Sequence, residues 1–450
     1  MAPRSVRALH ASDFALDQPL AGFTDVPERL ENVLLDLPYQ AVSRVVDAAI
    51  SERVDIALLS GNLLDPTMAG PRGVTFLAEQ FERLAQAEVD VFWAGGESDT
   101  PDRWPSAAKL PPCVRHFPAD RVTTHVWRRE GCEPISITGR SGKFATLLPD
   151  AFRTTETGIP VVLACGEVDA EAAKKHNARY WALGGKRERR TVPAGQAVLH
   201  HPGSPLGMSP EERSPRGCSI VEIPLVGAPR AKTIDLDPVR WRDETLEVDT
   251  DATKDDLLRE LREVMRTIAK ANVDRLAVVR WRIEGAKYLG SQARRGGLAE
   301  ELLTILRDEF GSRSSSPHSP GVWTASLRLE ADSDYPDDWY EEDTILGDYL
   351  RSVKKRKGIR VPFDWSRYLP VEGAPDLLAN LPPLPDEATR QEILDEATAL
   401  AVDLLRGDKP YVVAKKEPKP KPTATVAKPT PAKTEAAEFV GPPVASGAST

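Results

Sequence analysis

The sequence predicts a layered α/β protein, in which short buried strands alternate with helices. Residues 54–59, 89–93 and 159–163 are compact apolar runs, and polar or glycine residues follow each of them. Stretches with helical spacing lie between the runs, and this alternation is typical of sheets covered by helices. In such sheets ligands gather on the loops at the strand ends, so we look for function there.

The helices of this first region are predicted from apolar residues that recur three and four positions apart. Residues 42–50 show the pattern most clearly, and residues 76–87 and 171–176 repeat it. A short mixed run at 5–9 precedes them, and we interpret it as the first strand. Together these segments predict an α/β domain over residues 1–235.

A second, smaller α/β unit is predicted over residues 236–330. Its clearest element is an amphipathic helix at 254–270, which starts at a capping-box-like pair, Thr253 and Asp256. The other predicted elements are a strand and a helix, at 276–283 and 298–310.

The remaining chain divides into a proline-rich region and a tail. Residues 331–410 contain two predicted helices, at 345–355 and 387–405. Residues 411–450 consist mostly of Pro, Ala, Lys and Thr, which cannot bury a core, so we expect a disordered tail. A solvated tail is the simpler interpretation, and a weak electrostatic tether is the alternative.

Composition limits the classes of function. The 450 residues carry a formal net charge of −9, which argues against a general nucleic-acid coat but leaves room for a local basic groove. The four cysteines form no C-x-x-C pair, so a zinc knuckle is not expected. Sparse cysteines, the absence of a signal-like start and the absence of a long apolar run predict a cytoplasmic protein without a membrane segment.

Polar segments at the predicted strand ends resemble the motifs of a known family. They are HASDFALDQPL (10–20), LSGNLLD (59–65), AGGESD (94–99), VVLAC (161–165), YWALGGKR (180–187) and HPGSP (201–205). Their order and spacing resemble the SbcD/YhaO-type DNA repair exonuclease family of the calcineurin-like metallophosphoesterase superfamily. The resemblance fades after residue 235. It implies a two-sheet sandwich flanked by helices, followed by a small α/β capping domain.

The resemblance also implies where a metal site would lie. Such enzymes hold two Mn²⁺ or Mg²⁺ ions that clamp a phosphodiester and generate the attacking hydroxide. Asp13 keeps the family residue. The other expected positions are changed: Ala15, Asn62, Glu97, Ser98, Cys165, Gly185 and Arg187. Ala15, Ser98 and Gly185 offer no strong ligand. Arg187 puts a positive charge where a cation would lie. We therefore expect the two-metal site to be lost and no cofactor to be bound.

Three interpretations of the altered site stay open. The first is a remnant Mn²⁺ or Mg²⁺ site formed by Asp13, Asn62, Glu97 and Cys165. The second is a salt bridge between Glu97 and either Lys186 or Arg187, with Cys165 packed as a small apolar residue. In the third, Lys186 and Arg187 contact a phosphate without any metal.

Other polar residues near these segments are predicted to be structural. His10 is expected to be a hydrogen-bonded core residue. His200 and His201 are adjacent, so in a strand they point to opposite faces and cannot share one ion. Asp65 and Asp99 occupy family positions that support loops. The chain contains no phosphate-loop motif, so ATP hydrolysis is not expected.

These observations support three hypotheses about function. In the first, the chain is a degenerate, non-catalytic DNA-repair or assembly subunit that partners an SbcC-like ATPase and contacts DNA. The alternatives are an active metal-dependent exonuclease or phosphodiesterase with a remodelled site, and a stand-alone scaffold protein. The resemblance also implies a homodimer. Fold alone does not decide between them, because function depends on the site.

Overall fold

The computed structural model of the protein describes residues 5–23, 26–249, 252–285, 289, 297–311, 321–330, 335–356 and 386–406. The predicted disordered tail, 411–450, lies outside these residues, as does most of the proline-rich stretch between the two predicted C-terminal helices.

Two six-stranded sheets form the first region. In spatial order the first sheet contains β12 (Arg230–Asp235), β11 (Gly217–Ile223), β1 (Val6–Ala11), β2 (Ile56–Ser60), β3 (Asp90–Ala94) and β4 (Val114–His116). The second contains β5 (Thr123–Trp127), β6 (Ile135–Phe144), β7 (Ile159–Gly166), β8 (Tyr180–Gly184), β10 (Ala197–His201) and β9 (Arg190–Ala194). The central strands of each sheet are parallel. Antiparallel strands lie at one side of the first sheet, where β4 forms the other, parallel edge, and at both edges of the second.

The two sheets pack face to face around a shared apolar core. Leu58 and Phe92 of the first sheet belong to the same buried cluster as Leu163 and Tyr180 of the second. All four side chains are almost completely excluded from solvent. Because alternate residues of a strand face opposite sides, each sheet keeps a second apolar face for its helices. The predicted two-sheet sandwich is therefore confirmed.

Helices cover the outer faces of the sandwich. The long helices α1 (Glu28–Ser51) and α2 (Pro66–Gln86) pack against the first sheet, and the short helix α3 (Ala170–Lys174) covers the second. The helix predicted at 76–87 is longer than expected. Helix α2 starts at Pro66 and kinks at Gly70, whose φ is 61°. Asp65 caps it by accepting hydrogen bonds from the next two free backbone N–H groups.

A third sheet follows, with three parallel strands: β13 (Val239–Glu247), β14 (Leu276–Glu284) and β15 (Val322–Leu329). Helices α4 (Lys254–Ala271) and α5 (Leu298–Leu306) cover one of its faces. The predicted capping box of α4 is present. Helix α5 ends earlier than predicted, because residues 307–311 continue as a wider π-type turn. On the other face, Trp241 packs in one cluster with Leu37 of α1.

Three helices are described in the C-terminal region: α6 (Asp337–Glu341), α7 (Ile345–Arg356) and α8 (Glu387–Arg406). Helices α7 and α8 match the two predicted at 345–355 and 387–405. The proposed domain boundaries stay predictions. Within the described ranges, no helix is both long and apolar enough to cross a bilayer.

Candidate functional site

The loops that follow β1, β2 and β8 meet the last residues of β7 at one edge of the sandwich, where the parallel strands end. They bring together Asp13, Asn62, Cys165 and Gly185, and we call these four residues the strand-end cluster. Asp13 and Asn62 both have a φ of 56°, in the left-handed region that side-chain-bearing residues rarely adopt. Asp and Asn tolerate this conformation better than most residues because their short polar side chains bond locally.

Asp13 is the centre of the cluster, and both of its carboxylate oxygens accept hydrogen bonds. The Asn62 side-chain amide donates to Oδ1 at 2.8 Å. The Ser12 hydroxyl and the Gly185 backbone N–H donate to Oδ2, at 2.6 and 3.0 Å. Only 4% of Asp13 is exposed. Burial raises the pKa of Asp13, and the bonds from Asn62, Ser12 and Gly185 oppose that rise.

Cys165 lies in β7 of the second sheet and packs against the Asn62 side chain of the cluster. Its sulfur lies 3.7 Å from Nδ2 of Asn62, and its side chain is fully buried. Burial, helped by the negative charge of Asp13, raises the pKa of the thiol far above its usual range. The raised pKa disfavours the thiolate, which is the form of cysteine that binds metals. A Cβ added at Gly185 would lie 3.0 Å from the sulfur, so the packing favours glycine there.

A second buried carboxylate, Asp99, organises the loops behind the cluster. It accepts four N–H hydrogen bonds: from the backbones of Asn62, Leu63 and Gly96, and from the indole of Trp93. Burial raises the pKa of Asp99 to about 6, against the opposing effect of these bonds. Asp99 therefore supports the loops, as predicted.

The basic residues at this edge form ion pairs that the sequence did not indicate. Lys186 Nζ lies 2.7 Å from a carboxylate oxygen of Glu167. Arg187 forms a two-pronged pair with Glu212, in which the Nη2–Oε2 distance is 3.0 Å. The expected salt bridge from Glu97 to Lys186 or Arg187 is therefore wrong, because loops distant in sequence supply closer acids. The side chain of Glu97 is exposed. Phosphate contact by Lys186 and Arg187 stays a prediction.

Two further altered positions, Ala15 and Ser98, form hydrogen bonds that hold the loops in place. The Ala15 N–H donates to the Asn62 carbonyl at 3.1 Å, which ties the first two loops together. The Ser98 side chain hydrogen-bonds to Asp65, the cap of α2. Asp65 is thus structural, as predicted.

Histidines fill the sandwich behind the cluster. His10 is fully buried between the Tyr180 hydroxyl, at 2.8 Å, and the Ser60 hydroxyl, at 2.9 Å. The ring of His200 lies 5.5 Å from that of His10 inside the sandwich. His201 points to the opposite face, where its Nε2 lies 3.2 Å from the Gly166 carbonyl oxygen. His10 is therefore a hydrogen-bonded core residue, and the two adjacent histidines face opposite sides, as predicted.

The residues of the cluster do not fit a two-metal centre. Among the described residues, no group of three or more His, Cys, Asp or Glu side chains could hold a metal ion. The cluster offers a carboxylate that already accepts three hydrogen bonds, an amide that turns its N–H towards that carboxylate, and a protonated thiol. Divalent cations such as Mn²⁺ and Mg²⁺ need free oxygen lone pairs instead. Sequence reasoning missed Ser12, Glu167 and Glu212, for which no motif gave a signal.

The architecture, with polar loops at the ends of parallel strands in a two-sheet sandwich, is metallophosphoesterase-like. The chain is 25% identical over 237 residues to YhaO of Bacillus subtilis (strain 168), which is named an uncharacterized metallophosphoesterase. The match covers 48% of this chain and 57% of YhaO, so the chain spans little more than half of that relative. No family model matches the chain.

Two solved structures are also similar. One is a dimetal phosphatase from Danio rerio, at 8% identity and a TM-score of 0.32, with 51% of this chain and 99% of that chain covered. The other is Vps29 from Entamoeba histolytica complexed with Zn²⁺, at 14% identity and a TM-score of 0.22, with 51% and 99% covered.

Proposed function

We propose that this chain is a metallophosphoesterase-like subunit that binds and assembles rather than cleaves. The observation that carries the proposal is the surroundings of Asp13, where N–H and O–H donors occupy the positions that cations would need. Three donors, from Ser12, Asn62 and Gly185, satisfy its two oxygens. These bonds offset part of the cost of burying the carboxylate, and they satisfy its oxygens without a metal.

Rearranging the cluster to admit an ion is costly. To bind an ion through its amide oxygen, Asn62 would have to turn its side chain. That oxygen now packs tightly against Gly96, since a Cβ added to Gly96 would come within 2.2 Å of it. The turn would also take the Asn62 amide N–H away from its acceptor, Oδ1 of Asp13. A buried donor left without a partner costs about 1–3 kcal/mol. These contacts support loss of the family's hydrolytic mechanism.

A partner protein follows from the same resemblance. Members of the SbcD/YhaO-type family work with an SbcC-like ATPase, and we propose such an ATPase, together with DNA, as the cytoplasmic partners of this chain. Helix α8 supports a protein partner, because Ile393, Leu394, Leu404 and Leu405 are between 44% and 70% exposed. Clustered apolar exposure of this kind marks interaction surfaces.

Metal content and turnover test the loss of catalysis. The purified chain is analysed for bound Mn, Fe and Zn, and nuclease and bis-phosphodiester hydrolysis are assayed with added Mn²⁺. We expect no stoichiometric metal and no turnover. Stoichiometric metal, together with turnover that disappears in Asp13→Ala and persists in Asp120→Ala, would overturn the proposal. Asp120 is a suitable control because its side chain is 69% exposed.

Co-purification tests the assembly role. A tagged chain is expected to retain an SbcC-like coiled-coil ATPase, and the double variant Leu394→Glu/Leu404→Glu is expected to lose it. Leu148→Glu is the matched control, since Leu148 is 73% exposed but lies on the sandwich. If the wild-type chain retains no such ATPase, the assembly role fails and the stand-alone scaffold replaces it.

A further inference from the structure

A cavity lies on the outer face of the second sheet, on the side opposite the sandwich core. Its volume is about 560 Å³. The loops after β6 and β7 form its rim, and β8, β9 and β10 form its floor. We call it the outer-face cavity. Ligand pockets typically enclose about 300–1,000 Å³, so the cavity has room for a small molecule.

The floor of the outer-face cavity is apolar. Leu183 of β8 and Leu199 of β10 are almost fully buried, and both line the cavity. Val168 and Val192 form its sides and belong, with the two leucines, to the apolar cluster under this face of the sheet. A branched aliphatic group placed here would lie against the side chains of Val168, Val192 and Leu199.

His201 lines the outer-face cavity, and one of its ring nitrogens has no hydrogen bond among the described residues. Only 5% of the residue is exposed, and its Nε2 lies 3.2 Å from the Gly166 carbonyl oxygen. A carbonyl oxygen only accepts, so Nε2 carries the hydrogen and Nδ1 is a bare acceptor. Nδ1 has no hydrogen-bond partner among the described residues. Burial lowers the pKa of His201 to about 4, so the ring is neutral near pH 7.

Glu167 and Arg190 contribute charges of both signs. One oxygen of Glu167 pairs with Lys186 at 2.7 Å, and its other oxygen lies 3.9 Å from Arg190, beyond hydrogen-bond distance. Arg190 is 57% exposed, and within the described part of the chain its guanidinium donates no hydrogen bond. The planar N–H fork of Arg190 is therefore free to hold a carboxylate.

We propose that the outer-face cavity binds a free α-amino acid with a branched apolar side chain, of which leucine is the simplest probe. The carboxylate of the ligand pairs with Arg190. Its ammonium group donates to Glu167 and to Nδ1 of His201, and its side chain packs on Leu183 and Leu199. The proposal does not depend on whether the strand-end cluster is catalytic.

Other ligand classes match the outer-face cavity less well. A phosphate would place its higher negative charge beside Glu167, and the bare Nδ1 of His201 would offer it no N–H. A simple carboxylic acid would pair with Arg190, but it would donate no hydrogen bond to the acceptors of Glu167 and His201. A ligand with a carboxylate, an ammonium and an apolar group matches Arg190, the acceptors of Glu167 and His201, and the apolar floor together.

Calorimetric titration of the full chain with leucine tests the proposal. We expect saturable binding in the millimolar range or tighter. Isovalerate, which lacks the ammonium, and isoamylamine, which lacks the carboxylate, should each bind about ten-fold or more weakly, because hydrogen bonds to charged groups contribute about 1.5–3 kcal/mol.

Two variants locate the binding. Arg190→Gln removes the guanidinium from an exposed position, and His201→Gln keeps a donor for the Gly166 carbonyl while removing Nδ1. Each should weaken leucine binding about ten-fold. Arg121→Gln, at a 70% exposed arginine that does not line the cavity, should leave it unchanged. If His201→Gln does not fold, Arg190→Gln carries the test alone. No saturable heat with leucine, or binding unaffected by Arg190→Gln, would overturn the proposal.

Discussion

The strand-end cluster and the outer-face cavity lie near the same ends of β7 and β8, yet they differ in how their polar groups are used. In the cluster, both oxygens of Asp13 are consumed by donors from the protein itself. In the cavity, Arg190 and His201 are lining residues, and the described residues form no hydrogen bond with the Arg190 guanidinium or with Nδ1 of His201. A binding site must keep hydrogen-bond donors and acceptors free for its ligand. A site whose polar groups are all hydrogen-bonded within the protein serves the structure instead.

The alternation of side chains along β10 places its two adjacent histidines in different regions of the domain. Successive side chains of β10 point to opposite faces, so His200 faces the sandwich interior and His201 faces the outer-face cavity. One strand thus contributes a histidine to the sandwich core and, from the neighbouring position, a histidine to the lining of the outer-face cavity.

The largest expected effect comes from Asp99, which supports the loops behind the strand-end cluster. In Asp99→Ala, four N–H donors would lose their acceptor. We expect a loss of unfolding free energy on the order of 4 kcal/mol or more, since each unpaired buried donor costs about 1–3 kcal/mol. Chemical denaturation measures the change, with Asp120→Ala as the exposed control. A loss below about 1 kcal/mol would show that these donors find other partners.

Asn62→Asp is expected to have the next largest effect. The new carboxylate would face Asp13, where Nδ2 of Asn62 now lies 2.8 Å from Oδ1. Repulsion between the two carboxylates should lower the unfolding free energy by about 2 kcal/mol at neutral pH. The pair would share a proton with a raised pKa, so stability should return as the pH falls.

Manganese distinguishes this variant from the wild type. Mn²⁺ should raise the Tm of Asn62→Asp, because a cation relieves the repulsion, and leave the wild-type Tm unchanged. A variant as stable as the wild type at neutral pH would contradict the hydrogen bond between Asn62 and Asp13.

Acid should destabilise the protein through its buried histidines. Burial lowers the pKa of His200 to about 3 and those of His116 and His201 to about 4, from 6.5. Between pH 6.5 and about 4 the unfolded chain therefore binds more protons, and the free energy of unfolding should fall as the pH falls. Asp99, with its pKa raised to about 6, acts in the opposite direction over part of that range.

Denaturant titrations across this pH range check the prediction. The His201→Gln variant should lose stability less steeply on acidification than the wild type does. An equal slope in the variant would contradict the buried, neutral state of His201.

The smallest expected effect concerns thiol reactivity. Cys113 and Cys132 are half-buried, whereas Cys165 and Cys218 are buried. Burial raises the pKa of Cys165 strongly and that of Cys218 to about 12. An aromatic disulfide reagent should therefore label Cys113 and Cys132 first, and the other two only in denaturant. Rapid labelling of Cys165 in the native protein would show that the cluster opens.

Local signals in the sequence predicted much of the fold. The apolar stripe and capping box of α4 are local, so the helix was placed to within one residue. Strand β6 escaped prediction, because glycines and polar residues interrupt its apolar pattern. The early start of α2 was also missed, because Gly70 and Pro71 normally interrupt helices and here only kink one.

The candidate site was less predictable than the fold. Motif order indicated that Asp13, Asn62 and Cys165 lie near one another, since strand ends of parallel sheets share an edge. The partners of Lys186 and Arg187 could not be predicted, because Glu167 and Glu212 lie on other loops and only the folded backbone selects them. The outer-face cavity carries no motif at all. It arises where three strands and two loops meet.

The central claim is that hydrogen bonds within the protein satisfy the Asp13 carboxylate in place of a metal. Anomalous diffraction from crystals grown with Mn²⁺ tests it most directly. The account predicts no manganese peak beside Asp13, with the Asn62 amide and the Gly185 N–H still bonded to its carboxylate. Two manganese peaks a few ångströms apart, with Asp13 as a ligand, would contradict it.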